Sequence, residues 1–236
     1  MIVANWNVRG VNQPFKQREL RSLILKYKIS LIGLNETRVQ EDNYHHIASG
    51  LMPGWRCITN YGYHPNGRVW VLWDPSIVSL QLVCTTDQLI QVDATVIQKQ
   101  LCYYVSFIYG HNDCTLRRVL RSNLRALSSS LLHRPWLVLG DFNVVRNHTD
   151  RLGGAQCWPG YMEEFNDCCS DALLEDLQYT GSHFTWSKGS REGYKARKFD
   201  RALVNPAWFT EFSESASDFL EPGFLGHSPI LVNTGI

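Results

Sequence analysis

With 236 residues, a formal net charge of +1, and 23 Lys plus Arg against 22 Asp plus Glu, the chain is long enough for one large domain and nearly neutral, so any attraction to a polyanion must be local. Seven cysteines, an odd number without a Cys-x-x-Cys pair, point to free thiols and away from a zinc site or a disulfide framework. No apolar segment approaches the roughly 20 residues that span a bilayer and no signal-peptide pattern opens the chain, so a soluble intracellular protein without a membrane partner is expected.

The first apolar run, Ile2 to Val8, predicts a strand that ends on Asn7, with Gly10 closing the turn. Leu20, Leu23, Ile24 and Tyr27 then recur at helical spacing within 17–27. A second strand, 30–35, ends on Asn35-Glu36-Thr37-Arg38. Strands follow at about 55–60, 68–73, 77–84 and 89–97, the first two joined as a hairpin across Tyr63-His64-Pro65-Asn66-Gly67. The strand at 102–109 ends on Tyr109 and leads into Gly110-His111-Asn112. Thr115 offers an N-cap to a helix over 115–132, with Leu116, Val119, Leu120, Leu124, Leu127 and Leu131 on one face. A strand at 135–140 runs into Gly140-Asp141-Phe142-Asn143, and a third helical pattern, 160–172, carries Met162, Phe165 and Cys169. Strands at 183–187, 199–204 and 229–233 complete the chain. No linker or repeat divides it, so it reads as a single domain over 1–236. The class is α+β, and two mixed β-sheets packed face to face with outer helices would bury these apolar faces.

Four of these strands finish in polar residues, and strand ends are where loops converge on ligands. In Gly140-Asp141-Phe142-Asn143, alternation points Asp141 and Asn143 one way and Phe142 into the core. The carboxylate can hold or deprotonate a water, and the amide can donate to a phosphate oxygen. The plainer reading is a turn with an Asx bond. Glu36, at a strand end, suits a hard cation such as Mg²⁺, which takes one or two protein carboxylates and keeps its waters; otherwise it is a solvated loop charge. Asp200 and His227 read as a carboxylate that orients and charges an imidazole, or as Asp200 paired with Arg201 and a histidine capping the last strand. Tyr109 is either a phosphate-directed hydroxyl or a strand-end aromatic. Lys188, Arg191, Lys195, Arg197 and Lys198 crowd one loop with Gly189 and Gly193. That loop is a solvated hairpin or a contact for a DNA backbone. His45, His46 and His111 have no partner evident in the sequence.

Asn7 in Trp-Asn-Val, Glu36 in Asn-Glu-Thr, Tyr109, Gly140-Asp141-Phe142-Asn143, Phe199-Asp200-Arg201 and Gly226-His227-Ser228-Pro229 occur in the order of the endonuclease/exonuclease/phosphatase superfamily. The chain resembles that superfamily from about Ile2 to Asn233. Within it, Asp150-Arg151-Leu152-Gly153-Gly154, Phe184-Thr185-Trp186 and Asp200 to Asn205 resemble the endonuclease domain of plant non-LTR (LINE-type) retrotransposons. The resemblance implies a four-layer α/β sandwich and a DNA-nicking phosphodiesterase that uses Mg²⁺, with Mn²⁺ as a substitute. It also implies a nuclear location, and a reverse transcriptase domain as partner where the chain is part of a longer polyprotein. In that reading Glu36, helped by Asn7, holds the metal, and Asp141 activates the attacking water. Asn143 and Tyr109 grip phosphate oxygens, and His227, held by Asp200, stabilises the pentacovalent state. One position departs: the family's last motif is usually Ser-Asp-His, and here it is Leu225-Gly226-His227. The expectation is therefore a weakened site that Gly226→Asp would strengthen. A phosphomonoesterase of the same superfamily and a catalytically inactive DNA-binding remnant are the alternatives.

Overall fold

Strand β1 (Ile2–Asn7) runs parallel to β2 (Ile29–Asn35), with α1 (Pro14–Tyr27) as the crossover. The same unit recurs later, where β7 (Leu101–Tyr109) and β8 (Trp136–Asp141) are parallel and α3 (Arg117–Ser130) connects them. Parallel neighbours need such a crossover, and each brings two strand C-termini side by side. These termini are Asn7 and Asn35 in one unit, Tyr109 and Asp141 in the other. The computed structural model describes residues 1–154, 159–190, 193–223 and 226–236.

The remaining strands extend each unit into a mixed sheet. After α2 (Tyr44–Leu51) come β3 (Arg56–Thr59), β4 (Val69–Trp73), β5 (Val78–Thr85) and β6 (Leu89–Val96). Beyond β8 lie β9 (Arg151–Leu152), α4 (Gly160–Asp171), β10 (Glu175–Asp176), β11 (Tyr179–Gly181), β12 (Trp186–Lys188) and β13 (Lys195–Arg197). The last elements are β14 (Asp200–Val204), α5 (Pro206–Glu211), β15 (Ala216–Phe219) and β16 (Ile230–Asn233). One sheet has the order β11-β15-β16-β1-β2-β4-β3 and the other β10-β14-β8-β7-β6-β5.

Alternation along the strands builds the layers. Val3, Leu31, Val69, Val71, Val105, Phe107, Leu137, Leu139, Ala202 and Val204 meet between the sheets. Their sequence neighbours face outward: Ala4, Trp6, Ile32 and Leu34 pack under Leu20 and Ile24 of α1 and Ile47 of α2. On the other side Trp136, Val138 and Leu203 pack under Leu120 and Leu124 of α3 and Met162, Phe165 and Cys169 of α4. The result is the expected four-layer sandwich.

Some local expectations are corrected. Thr115 does not cap α3; the helix starts at Arg117, and the Asp113 carboxylate instead accepts from the Thr115 N–H at 2.7 Å. Val119 lies on the exposed side of that helix, and Leu116, just before it, is exposed as well. The segment expected as a strand at 183–187 pairs only from Trp186, in a small third sheet ordered β12-β13-β9. Helices α2 and α5 and strand β15 were not anticipated.

Outward-facing Arg201 anchors β14. It is 1% exposed and donates to Asp176 at 2.9 and 3.2 Å and to Asp150. Arg146 adds a 2.8 Å bond to Asp176. Burial would raise the Asp176 carboxyl, but the charges of Arg201 and Arg146 outweigh it and hold it below the usual range. Removing one partner of such a buried network leaves charges uncompensated, at about 3–5 kcal/mol. Arg201→Ala should therefore lose about that much in urea unfolding followed by circular dichroism, and a loss under about 1 kcal/mol would mean the network contributes little.

Candidate active site

The parity that fills the inter-sheet core continues to the strand ends. Val3 and Asn5 lead to Asn7; Leu137 and Leu139 lead to Asp141; Phe107 leads to Tyr109; and Ala202 leads back to Asp200, which pairs opposite Asp141 in the ladder. Both sheets thus direct polar side chains into the same end of the interface. Gly140 lets β7 and β8 close up before Asp141. Its φ is +148°, and a Cβ there would lie 2.1 Å from the Ile108 carbonyl oxygen. Glu36 and Asn143, at these turns, adopt φ of +51° and +49°. Left-handed non-glycine residues cost energy and cluster where geometry is imposed for function.

One amide joins the two sheets here. Asn7 Nδ2 donates to Glu36 Oε1 at 3.0 Å and to Asp141 Oδ2 at 2.9 Å. Asp141 Oδ1 accepts from the Asn143 backbone N–H at 2.9 Å, and the Asn143 side chain donates to the Gly110 carbonyl at 2.7 Å. His227 Nδ1 lies 2.9 Å from Asp200 Oδ2 and 3.7 Å from Asp141 Oδ2. Thr185 Oγ1 accepts from the backbone N–H groups of Phe199 and Asp200, each at 3.0 Å, and the Trp6 indole donates to the His227 carbonyl at 3.0 Å. The sequence alone assigns Thr185 and Trp6 no role, though each stands inside a motif of the family resemblance, Phe184-Thr185-Trp186 and Trp6-Asn7-Val8.

The charges separate into two kinds. Burial would raise Glu36, but hydrogen bonds from Asn7, Arg38 and Tyr109 outweigh it and hold the carboxyl below its ordinary value. Burial, reinforced by the Asp200 charge, pushes Asp141 up to about 6 against the pull of His227. Burial disfavours His227 protonation, but the charges of Asp200 and Asp141 overcome it and raise the imidazole. Tyr109 is raised by burial and by the charges of Glu36 and Asp141.

Two groupings of these residues suit a divalent cation. Asp141, Asp200 and His227 offer ligand atoms within 4.8 Å of one another, and Asp200 Oδ1 is buried with no partner among the described residues. Glu36 stands apart from that cluster. We favour Glu36, because the cluster's side chains are 1–3% exposed and its imidazole Nδ1 is already spent on Asp200. The Glu36 side chain is 16% exposed and opens on the cleft, and a hard cation that keeps its waters needs few carboxylates. Asn7 turns its NH₂ to both carboxylates, and its Oδ1, the atom it could offer a cation, accepts from the Arg9 N–H at 3.2 Å. Tyr109 acts on Glu36, helping to lower its carboxyl, where a phosphate contact was expected.

The basic loop divides. Lys188 and Lys195 are exposed, and Lys188 lines the cleft. Arg197 spends its guanidinium on the carbonyls of Leu152, Gly153 and Ala196. Lys198 is corrected as a DNA contact, since it is buried with Nζ 3.3 Å from the Tyr179 ring centroid, and burial lowers its pKa to about 8. Arg191 lies outside the described residues. His45 and His46 are exposed on α2, whereas His111 pairs with Asp87 at 2.8 Å. Asp200 does not pair with Arg201; the two side chains leave opposite faces of β14.

The cleft over these residues has a volume of about 600 Å³ and is walled by Arg9, Glu36, Arg38, Asn143, Lys188 and His227. Gly226, beside His227, has φ +78°, and a Cβ there would sit 2.6 Å from the Arg9 guanidinium. The space expected for an added carboxylate is therefore bounded by a cation, and the backbone lies in the region that side chains disfavour.

A family model for the endonuclease/exonuclease/phosphatase family matches residues 4–221. The chain belongs to this family. Its members are metal-dependent hydrolases. The fold is similar to the endonuclease domain of TRAS1, a telomere-specific non-LTR retrotransposon (TM-score 0.73, 12% identity, covering 98% of this chain and 97% of that one). It is also similar to the catalytic domain of Xenopus laevis APE2 (0.73, 14% identity, 99% and 91% covered). A mannosyl-6-phosphatase from Bacteroides thetaiotaomicron shares the fold as well (0.64, 11% identity, 99% and 98% covered). No curated protein matches the chain in sequence.

The Asp200–His227 pairing is directly measurable. Replacing Asp200 with Asn removes the nearest charge that raises the imidazole. NMR titration of His227 should show its pKa falling in Asp200→Asn, and an unchanged midpoint would mean that Asp200 does not hold the charged ring.

Proposed function

We propose that the chain is a Mg²⁺-dependent phosphodiesterase that nicks DNA, as the endonuclease of a non-LTR retrotransposon of the plant LINE type. The observation that carries the reading is the pair of differently held carboxylates, Glu36 low and Asp141 raised, tied by one amide beneath an open cleft walled by Arg9, Arg38 and Lys188. Carboxylates whose environments push them apart take different roles. The likeness to the TRAS1 domain and the sequence motifs around Asp150, Thr185 and Asp200 favour the retrotransposon assignment.

A divalent cation at Glu36 would neutralise charge on the phosphate as it is attacked. Asp141, desolvated and oriented by Asn7 and the Asn143 N–H, accepts a proton from the attacking water. Asp200 holds Nδ1 of His227 and favours the charged ring, whose Nε2–H can then donate toward the cleft and toward charge on the pentacovalent phosphorus. Asn143 retains one amide hydrogen for a phosphate oxygen, the other being given to Gly110. The nick would free a 3′-hydroxyl on which a reverse transcriptase, the proposed partner domain, can prime. That role places the protein in the nucleus.

Incubation with supercoiled plasmid tests the reading. Nicking should require Mg²⁺ or Mn²⁺ and vanish in Glu36→Ala. Asp141→Asn should keep the fold by circular dichroism and lose at least about 10²-fold in rate, within the range of general-base contributions. Nicking that persists in EDTA would refute the metal role. Hydrolysis of a chromogenic phosphomonoester without nicking would favour the phosphatase alternative, and silence on both substrates the inactive remnant.

The exposed lysines give a separate expectation. Lys188→Ala with Lys195→Ala should weaken duplex binding about equally for all sequences and reduce the slope of log affinity against log salt. An unchanged slope would make the loop solvated surface only.

A further inference from the structure

Arg9 stands in the cleft wall, and the mechanism above leaves it unused. It follows Asn7 by two residues, so it enters the cleft from the same strand end. Its backbone is fixed on both sides: its N–H donates to Asn7 Oδ1 at 3.2 Å, and its carbonyl accepts from Lys16 Nζ at 2.7 Å. Its φ of +44° is a left-handed conformation that a non-glycine residue adopts at some cost. The side chain is half-buried, lines the cleft beside Glu36 and His227, and has no hydrogen bond or ion pair to any described residue. The contrast with its neighbours is informative. Arg38 is committed to Glu36, and Arg197 to three carbonyls.

Gly226 makes room for it. A Cβ at 226 would lie 2.6 Å from one guanidinium nitrogen and 3.4 Å from its carbon, so any side chain there would displace or pair with the fork. The missing side chain and the placed arginine are two halves of one arrangement. A guanidinium presents a rigid planar set of donors that matches two oxygens of a phosphate, and it keeps its charge at any working pH.

We propose that Arg9 is a phosphate-binding residue of this cleft: its free guanidinium grips the non-bridging oxygens of the substrate phosphodiester, and Gly226 is the vacancy that admits it. This rests on the phosphodiesterase reading for the identity of the substrate, but the phosphate chemistry alone does not require it. The departure at 226 is then an exchange of a carboxylate for a cation and a different way of balancing charge in the cleft. It follows that Gly226→Asp harms phosphate binding, because the new carboxylate would pair with Arg9.

The test is binding without turnover. Fluorescence anisotropy of a labelled DNA duplex in EDTA, repeated over a range of salt, isolates the protein's own contacts, with inorganic phosphate as a competitor to report the small-anion arm. Arg9→Gln should weaken duplex binding roughly tenfold and reduce the salt slope by about 1, as expected for one lost phosphate contact. Arg9→Lys should keep the slope, since the charge remains, while losing part of the affinity with the fork. Gly226→Asp should weaken binding like Arg9→Gln, and the double variant should be no weaker than Arg9→Gln alone, because both act on one group. Asp tolerates a left-handed backbone better than most residues, which keeps that variant foldable. Unchanged affinity and slope in Arg9→Gln would overturn the assignment. So would an Arg9→Gln that no longer melts cooperatively while Gly226→Asp binds like the parent, for the guanidinium would then be a structural prop. A parent protein displaced by inorganic phosphate through Arg9, yet without affinity for duplex, would keep the Arg9 assignment and overturn the DNA reading. A parent that binds neither would overturn both.

Discussion

The Asn7 carboxamide sits where the two sheets meet. It belongs to β1 of the first sheet, reaches Glu36 at the end of the neighbouring β2, and crosses the gap to Asp141 at the end of β8 in the second sheet. A neutral donor between two carboxylates lets both sit within reach of one NH₂ group without direct like-charge contact. A parallel bond does the same structural work nearby, where Asn35 donates across the sheets to the Ile108 carbonyl at 2.7 Å. Everything else in the site is placed relative to these two bridges. The paired crossovers supply four strand ends in one place, Gly140 sets the closeness of β7 and β8, and the antiparallel β14 brings Asp200 opposite Asp141. The relative position of the sheets is therefore part of the chemistry.

Much of this was legible in the residue order. The long strands could be located because they are near-continuous apolar runs of six to nine residues, and the two-residue parity of a strand identifies which terminal polar residue faces inward. Short elements were not legible. Helix α2 has eight residues with only Ile47 and Leu51 buried, α5 has six, and β15 has four with Ser217 and Asp218 among them, so none shows a full period. Pairings across the chain were also hidden. Arg201 meets Asp150 across 51 positions, and nothing local distinguishes it from an arginine that would pair with adjacent Asp200. Lys198 looked like the rest of its basic run until packing put it against Tyr179, because the exposure of a long cationic stem depends on tertiary neighbours.

The departure at Gly226 reads differently once its neighbours in space are known. As a missing carboxylate it suggests decay. With Arg9 beside it, the missing side chain leaves room for a guanidinium in the cleft wall, and on the proposal above an added carboxylate would hinder a phosphate ligand. The remaining residues keep a coherent arrangement: a partly exposed, low carboxylate at Glu36, a buried and raised one at Asp141, and an imidazole fixed by Asp200.

That division is the central claim, and its most direct test is where a cation binds. Crystals soaked in Mn²⁺ and measured at the manganese absorption edge would locate it by anomalous scattering without any assumption about substrate. The account predicts a peak at the Glu36 carboxylate, with Asp141, Asp200 and His227 still hydrogen-bonded among themselves and to Asn7. A peak enclosed by Asp141, Asp200 and His227, with none at Glu36, would contradict it.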